Sequence, residues 1–202
     1  MLAEGVRPRF DSDEEVLRAA QYRLLSRFLA APPDQALLNV EAGLEGDETP
    51  LGRALGMLGR LAGRITPAEA ADEYFNLFIG LGRGELLPYA SYYLTGFLHE
   101  KPLARLRQDM ARLGIARAER SKEPEDHIAA ICEMIAGVIE GSFGERADLA
   151  SQRRFFDSHL APWAERFFSD LEAARSAALY APVGTAGRVF MEIERTAFGM
   201  ID

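Results

Sequence analysis

Two short clusters hold most of the residues in this chain that could do chemistry. The first is Gly80-Leu-Gly-Arg-Gly-Glu-Leu-Leu-Pro88, followed by Tyr89 and Ser91. Glycines at every second position suggest a backbone that could cradle phosphate, but a dinucleotide loop needs a strand before it and a helix N-terminus after it. Here a helical pattern precedes the loop and no Gly-Lys-Ser/Thr triplet is present. The loop therefore reads as a turn between helices, with Leu81, Leu86, Leu87, Pro88 and Tyr89 as apolar side chains on a deformable backbone, a combination suited to gripping a peptide. The second cluster is Glu123-Pro-Glu-Asp-His127. Proline at the first helical position would make Glu123 the N-cap and put Asp126 at N3, where its carboxylate would face the positive helix end. Asp126 and His127 would then point about 100° apart and form no natural acid–base pair, whereas Glu123 and His127 would share a face. The carboxylates suit a basic peptide as well as they suit proton transfer.

Metal and nucleophile chemistry find little support. His99, His127 and His159 are far apart in sequence, Cys132 is the only cysteine, and no nucleophile elbow is present. No cofactor is expected, and the chain reads as a non-enzyme. A net charge of -8 with a pI near 5.0 argues against nucleic acid, which needs clustered Lys and Arg, and favours a basic partner. The N-terminal MLAEGVRPRFDSDEE lacks a signal-peptide apolar stretch and no 18-residue apolar run follows, so a cytoplasmic protein without stable membrane insertion is expected.

The elements that must position these clusters are helices. Ser12 and Glu15 form a capping box ahead of Val16, Leu17, Ala20, Leu24, Leu25, Phe28 and Leu29 at helical spacing. Thr49-Pro50 opens a second helix, and Thr66-Pro67 with Glu69 opens a third that carries Ala70, Tyr74, Leu77 and Phe78 inward and stops at Gly80. Further helices are expected through Ser91–Phe97, Pro102–Leu113 and Ile128–Ile139, and around Phe155–Leu160, Trp163–Leu171 and Val189–Phe198. The aromatics Phe28, Phe155, Phe156, Trp163, Phe167 and Phe190 sit at helical spacing and read as core rather than as a ligand cage. No alternating strand is seen. The expected fold is all-α, a helical bundle of about 8–11 helices in two packed lobes. The boundaries are residues 1–114, a polar hinge at 115–125, and 126–202.

At this point both clusters match a known pattern. Tyr74-x-x-Leu77-Phe78-x-Gly80-x-Gly82, then Pro88 and Ser91-x-Tyr93, resembles the first signature of the TorD/DmsD/NarJ family of redox-enzyme maturation chaperones. Glu123-Pro-Glu-Asp126-His127-Ile128 is similar to that family's second signature, E-P-x-D-H, and His159-Leu-x-Pro162-Trp163 to a weaker third. The resemblance implies an all-α fold and a chaperone that binds the twin-arginine (Tat) signal peptide, the apoprotein of a molybdopterin oxidoreductase, or both. Such a chaperone assists cofactor insertion and prevents premature export, as a monomer or a domain-swapped dimer. Carried over by position, it implies peptide binding by Tyr74, Leu77, Phe78, Gly80, Pro88, Tyr89, Ser91, Asp126 and His127; the residue chemistry adds Leu86 and Glu123. The chain departs from some members of the family in having Gly82 and Tyr89 where they have tryptophans. The competing reading is a small nucleotide-dependent hydrolase using the hinge carboxylates and His127.

Overall fold

Helix signals written into the sequence account for most of the elements. The computed structural model describes residues 12–117 and 123–200. Among them are ten α-helices: α1 (Ser12–Ala30), α2 (Gln35–Glu41), α3 (Pro50–Ala62), α4 (Pro67–Tyr74), α5 (Ala90–Thr95), α6 (Lys101–Arg112), α7 (Ile128–Glu140), α8 (Leu149–His159), α9 (Ala164–Glu172) and α10 (Tyr180–Gly199). A single π-helical turn, Phe75–Ile79, continues α4. The described residues contain no β-strand, only one isolated antiparallel bridge. The fold is all-α.

Capping chemistry explains where several helices begin. Thr66 accepts the Glu69 amide at 3.3 Å while the Glu69 carboxylate accepts the Thr66 amide at 2.9 Å, with Pro67 in the first turn. Thr49 accepts from Gly52 N at 3.0 Å and starts α3. The described part of α1 begins at Ser12 itself, so the side chain expected to cap it lies outside the described residues.

The buried face of α1 differs from the expected stripe. Leu24, Leu25, Phe28 and Leu29 are in the core, but Val16 and Leu17 are 59% and 70% exposed and Ala20 faces solvent. The face is turned instead toward Arg18, Ala19 and Tyr22. The reason is polar: Arg18 makes a two-pronged pair with Glu194 of α10 at 2.7 and 2.8 Å, also donates to Gln152, and Tyr22 donates to Glu194 at 3.0 Å. A buried charge has to find its partner, and the helix rotates to that partner.

α1 packs along α7, and α10 packs on α9 and α3. The resulting hydrophobic cluster runs from Ala19 to Phe198, with Tyr22 edge-on to Phe190 at 4.7 Å and Phe28 edge-on to Tyr180 at 6.2 Å. Helices from both sides of the 115–125 connector share this core; residues 118–122 of the connector lie outside the described residues. Among the described residues no helix is long and apolar enough to cross a membrane.

Candidate functional site

The π-helical turn ends where Gly80 N donates to Phe75 O at 2.7 Å. Gly80 then takes φ 62° and ψ 171°, a region open to little besides glycine, and a Cβ there would stand 2.2 Å from Arg83 O. The chain folds back along the turn, with Glu85 N bonded to Asn76 O at 3.1 Å and Leu86 N to Leu77 O at 2.8 Å. The Glu85 carboxylate accepts the amides of Arg175 and Ser176, which fastens the base of the loop. Its tip is left in solvent, with Leu81 99% exposed.

The second cluster meets the end of this loop directly. Ala90 N donates to Asp126 O and Ile128 N to Pro88 O, both at 2.9 Å, forming the isolated bridge between Tyr89 and His127. The Tyr89 and His127 rings lie edge-to-face at 5.1 Å. Two motifs some 35 residues apart in sequence thus become one structure.

The cap of α7 is not the one the sequence suggested. The helix starts at Ile128, and its N-cap is His127, whose Nδ1 accepts the Ala129 amide at 3.1 Å. Glu123 and Pro124 stand before the helix, in a turn closed by His127 N donating to Pro124 O. Asp126 therefore does not sit at N3 of α7. Its carboxylate, 1% exposed, accepts the Ser91 amide at 2.9 Å and serves the first turn of α5, a helix whose own N-cap residue makes no side-chain bond. Neighbouring chain positions serve the starts of two different helices because the extended Pro88–Tyr89 segment, bridged to His127, runs beside them. Asp126 and His127 form no acid–base pair.

The electrostatics follow from burial. Desolvation pulls the His127 imidazole down from 6.5 to about 4, against the opposing pull of Glu123 and Asp126, so the ring is neutral at neutral pH. Burial and a hydrogen bond to the Glu123 carboxylate push the Tyr89 phenol well up. Burial would raise the Glu125 carboxyl, but hydrogen bonds from Arg107 at 2.8 and 3.1 Å outweigh it and hold it below the usual value. Burial likewise lowers His159 although Asp109 lies 2.8 Å away.

The bridge forms one wall of a groove of about 410 Å³ between the loop, α7 and the start of the connector. Of the sequence-predicted residues, Tyr74, Phe78, Pro88, Tyr89, Glu123 and His127 line it. The Tyr74 and Phe78 rings pack in a tilted arrangement, with centroids 4.9 Å apart. The others stand elsewhere. Leu77 is wholly buried behind the groove, Ser91 is wholly buried at the start of α5, Asp126 is buried beneath the bridge, and Gly80 shapes the turn. Leu86 faces a second cavity with Arg83, Tyr92 and Arg166. Sequence reasoning missed Met110, Ile115, Met134 and Phe143, which supply much of the apolar lining, and Glu133, whose side chain is 64% exposed and 3.4 Å from Arg23. The methionines Met110 and Met134 were the available signal, since flexible thioethers suit adaptable apolar surfaces.

A family model described as nitrate reductase delta subunit matches residues 44–169, which takes in both motifs and more than half of the 202-residue chain. The chain belongs to this TorD/DmsD/NarJ family. Chaperone protein TorD of Vibrio cholerae is 28% identical over 134 residues, 63% of this chain and 61% of that protein. TorD of Aliivibrio fischeri is 30% identical over 109 residues, 49% of this chain and 50% of that protein. The chain thus matches these TorD relatives over about three-fifths of their length or less. The fold matches the crystal structure of a candidate redox enzyme maturation protein from Archaeoglobus fulgidus with a TM-score of 0.60 at 21% identity, over 94% of this chain and 99% of the other. The likeness is one of fold, and it places the TorD-family motifs of this chain in an all-α frame that spans both.

Proposed function

We propose that this protein is a cytoplasmic maturation chaperone, which binds the Tat signal peptide of a molybdopterin oxidoreductase, its apoprotein, or both. It thereby assists cofactor insertion and holds back export. The observation that carries this reading is the meeting of the two family motifs on the wall of one apolar groove with an acidic edge. A Tat signal peptide pairs a basic segment with a modestly apolar one. The apolar part packs against Phe78, Pro88, Tyr89 and Met134, and the arginines meet Glu123 and Glu133. Glu125 is held by Arg107, and Asp126 is buried and does not line the groove, so the exposed Glu133 is the first partner for those arginines, with Glu123 meeting them beside its bond from Tyr89. Occupancy alone blocks export, and no covalent step is required. His127 Nδ1 and Asp126 Oδ2 each accept an amide at the start of a helix and do not pair with each other, an arrangement that favours holding over hydrolysis.

Isothermal titration with a twin-arginine peptide and its twin-lysine version tests the reading. Tyr89→Ser should weaken binding about tenfold and Glu133→Lys somewhat less, each with a nearly unchanged thermal midpoint, and raising salt should flatten the Glu133 effect. Equal affinity of wild type and both variants would remove the groove from peptide binding.

A further inference from the structure

His127 is more than nine-tenths buried, and only one of its ring nitrogens is used. Nδ1 accepts the Ala129 amide, so in the neutral ring the proton sits on Nε2. Among the described residues that N–H meets no acceptor. Asp126 does not line the groove: its Oδ2 accepts the Ser91 amide and its Oδ1 is buried without a partner, while the Glu123 carboxylate receives the Tyr89 hydroxyl. The ring lines the groove, and with the Nδ1 edge turned to the start of α7 the Nε2 edge is the side left open to it. A donor in this setting, beside Tyr89 in a groove also lined by Phe78 and Met134, is costly to leave unpaired once a partner expels water.

We propose that His127 Nε2–H is the hydrogen-bond donor for one main-chain carbonyl of the bound segment, at a point where that segment's own secondary structure leaves the carbonyl unpaired. This rests on the groove being the peptide site. The surroundings choose the acceptor. Glu123 and Glu133 at the groove and a chain charge of -8 disfavour an anionic side chain. The methionine and aromatic lining disfavours a polar one. An apolar segment still carries a carbonyl at every residue, and only a carbonyl outside helical pairing is free to accept. A segment helical through this point would leave the donor empty, so His127 selects for a break or an extended residue beside the basic end.

The test uses the full chain and a synthetic twin-arginine peptide. Each amide along its apolar stretch is replaced in turn by an ester, which weakens the carbonyl acceptor, and matched N-methyl peptides control for the lost N–H. With wild type, one ester position should lose about fivefold in affinity where its N-methyl control does not, the scale of one neutral hydrogen bond. His127→Asn keeps an N-cap acceptor for α7 and withdraws the Nε2 donor, so parent and ester peptides should bind that variant equally. Nitrogen-15 spectra of the histidines should show His127 as the Nε2–H tautomer, its proton slowed in exchange and shifted downfield on saturation. Binding with no such ester position, or the same ester loss in His127→Asn, overturns the donor role and leaves the groove reading intact. A wild type that binds no parent peptide overturns both.

Discussion

Asp126 and His127 show how much a single chain position can change meaning once the backbone is placed. Each is a cap, but for different helices, and their removal should cost accordingly. Asp126→Ala leaves the Ser91 amide without its partner inside the protein and should cost about 1–3 kcal/mol in urea unfolding. Asp126→Asn retains a carbonyl acceptor and should cost less. For His127 the sign follows from burial. Its folded value of about 4 lies below the ordinary 6.5, so between these pH values the unfolded chain binds a proton that the folded one refuses. The stability it contributes is full above pH 6.5 and declines as pH falls toward 4, by about 3 kcal/mol at most. Unfolding of wild type and His127→Asn across that range checks this; parallel curves would mean His127 titrates normally. The residue types at this site were legible from the motif, whereas their partners were not. Ser91 precedes Asp126 by 35 positions, and no local spacing announces such a bond.

At the scale of elements, caps written locally were readable and caps supplied from afar were not. The Thr66–Glu69 box could be read from four consecutive residues. By contrast, α10 begins at Tyr180, nine residues before the Val189 start expected from periodicity. Pro182 falls in the first turn of the helix, where proline is tolerated, and Gly187 is where Phe168 of α9 packs, 2.2 Å from where a Cβ would be. The N-terminus of α10 is secured by the buried Glu73 of α4, which accepts the amides of Ala178, Leu179 and Tyr180 at 2.8, 3.0 and 2.8 Å. Glu73→Ala should cost about 2–4 kcal/mol, since several buried amides lose their acceptor together. Hydrogen exchange should quicken first at residues 178–180; unchanged protection there would mean the amides find other partners.

Over the whole molecule, the first and last described helices are joined through charge. Arg18 of α1 and Glu194 of α10 pair in the core, and Arg18 also lies 4.9 Å over the Phe198 ring. Breaking the pair from one side strands a buried charge, so Glu194→Ala should destabilise by about 3–5 kcal/mol. Arg18→Met combined with Glu194→Leu should recover much of that loss. A double variant as unstable as Glu194→Ala would show that the pair is needed for more than charge balance.

Some properties of this protein are local, and the sequence by itself determined them. Helical periodicity, a few cap signals and the absence of alternating strands are enough for an all-α fold, because i, i+3, i+4 burial and capping act within a turn or two. The two motifs, too, were legible as short strings. Only tertiary structure decided which way α1 faces, that Leu77 is core while Tyr74 and Phe78 reach the groove, and that Asp126 belongs to α5. It also decided that methionines from α6 and α7 complete the apolar wall. These outcomes depend on which buried polar group finds which partner across the core, and that is set by the packing of distant helices rather than by any run of neighbouring residues.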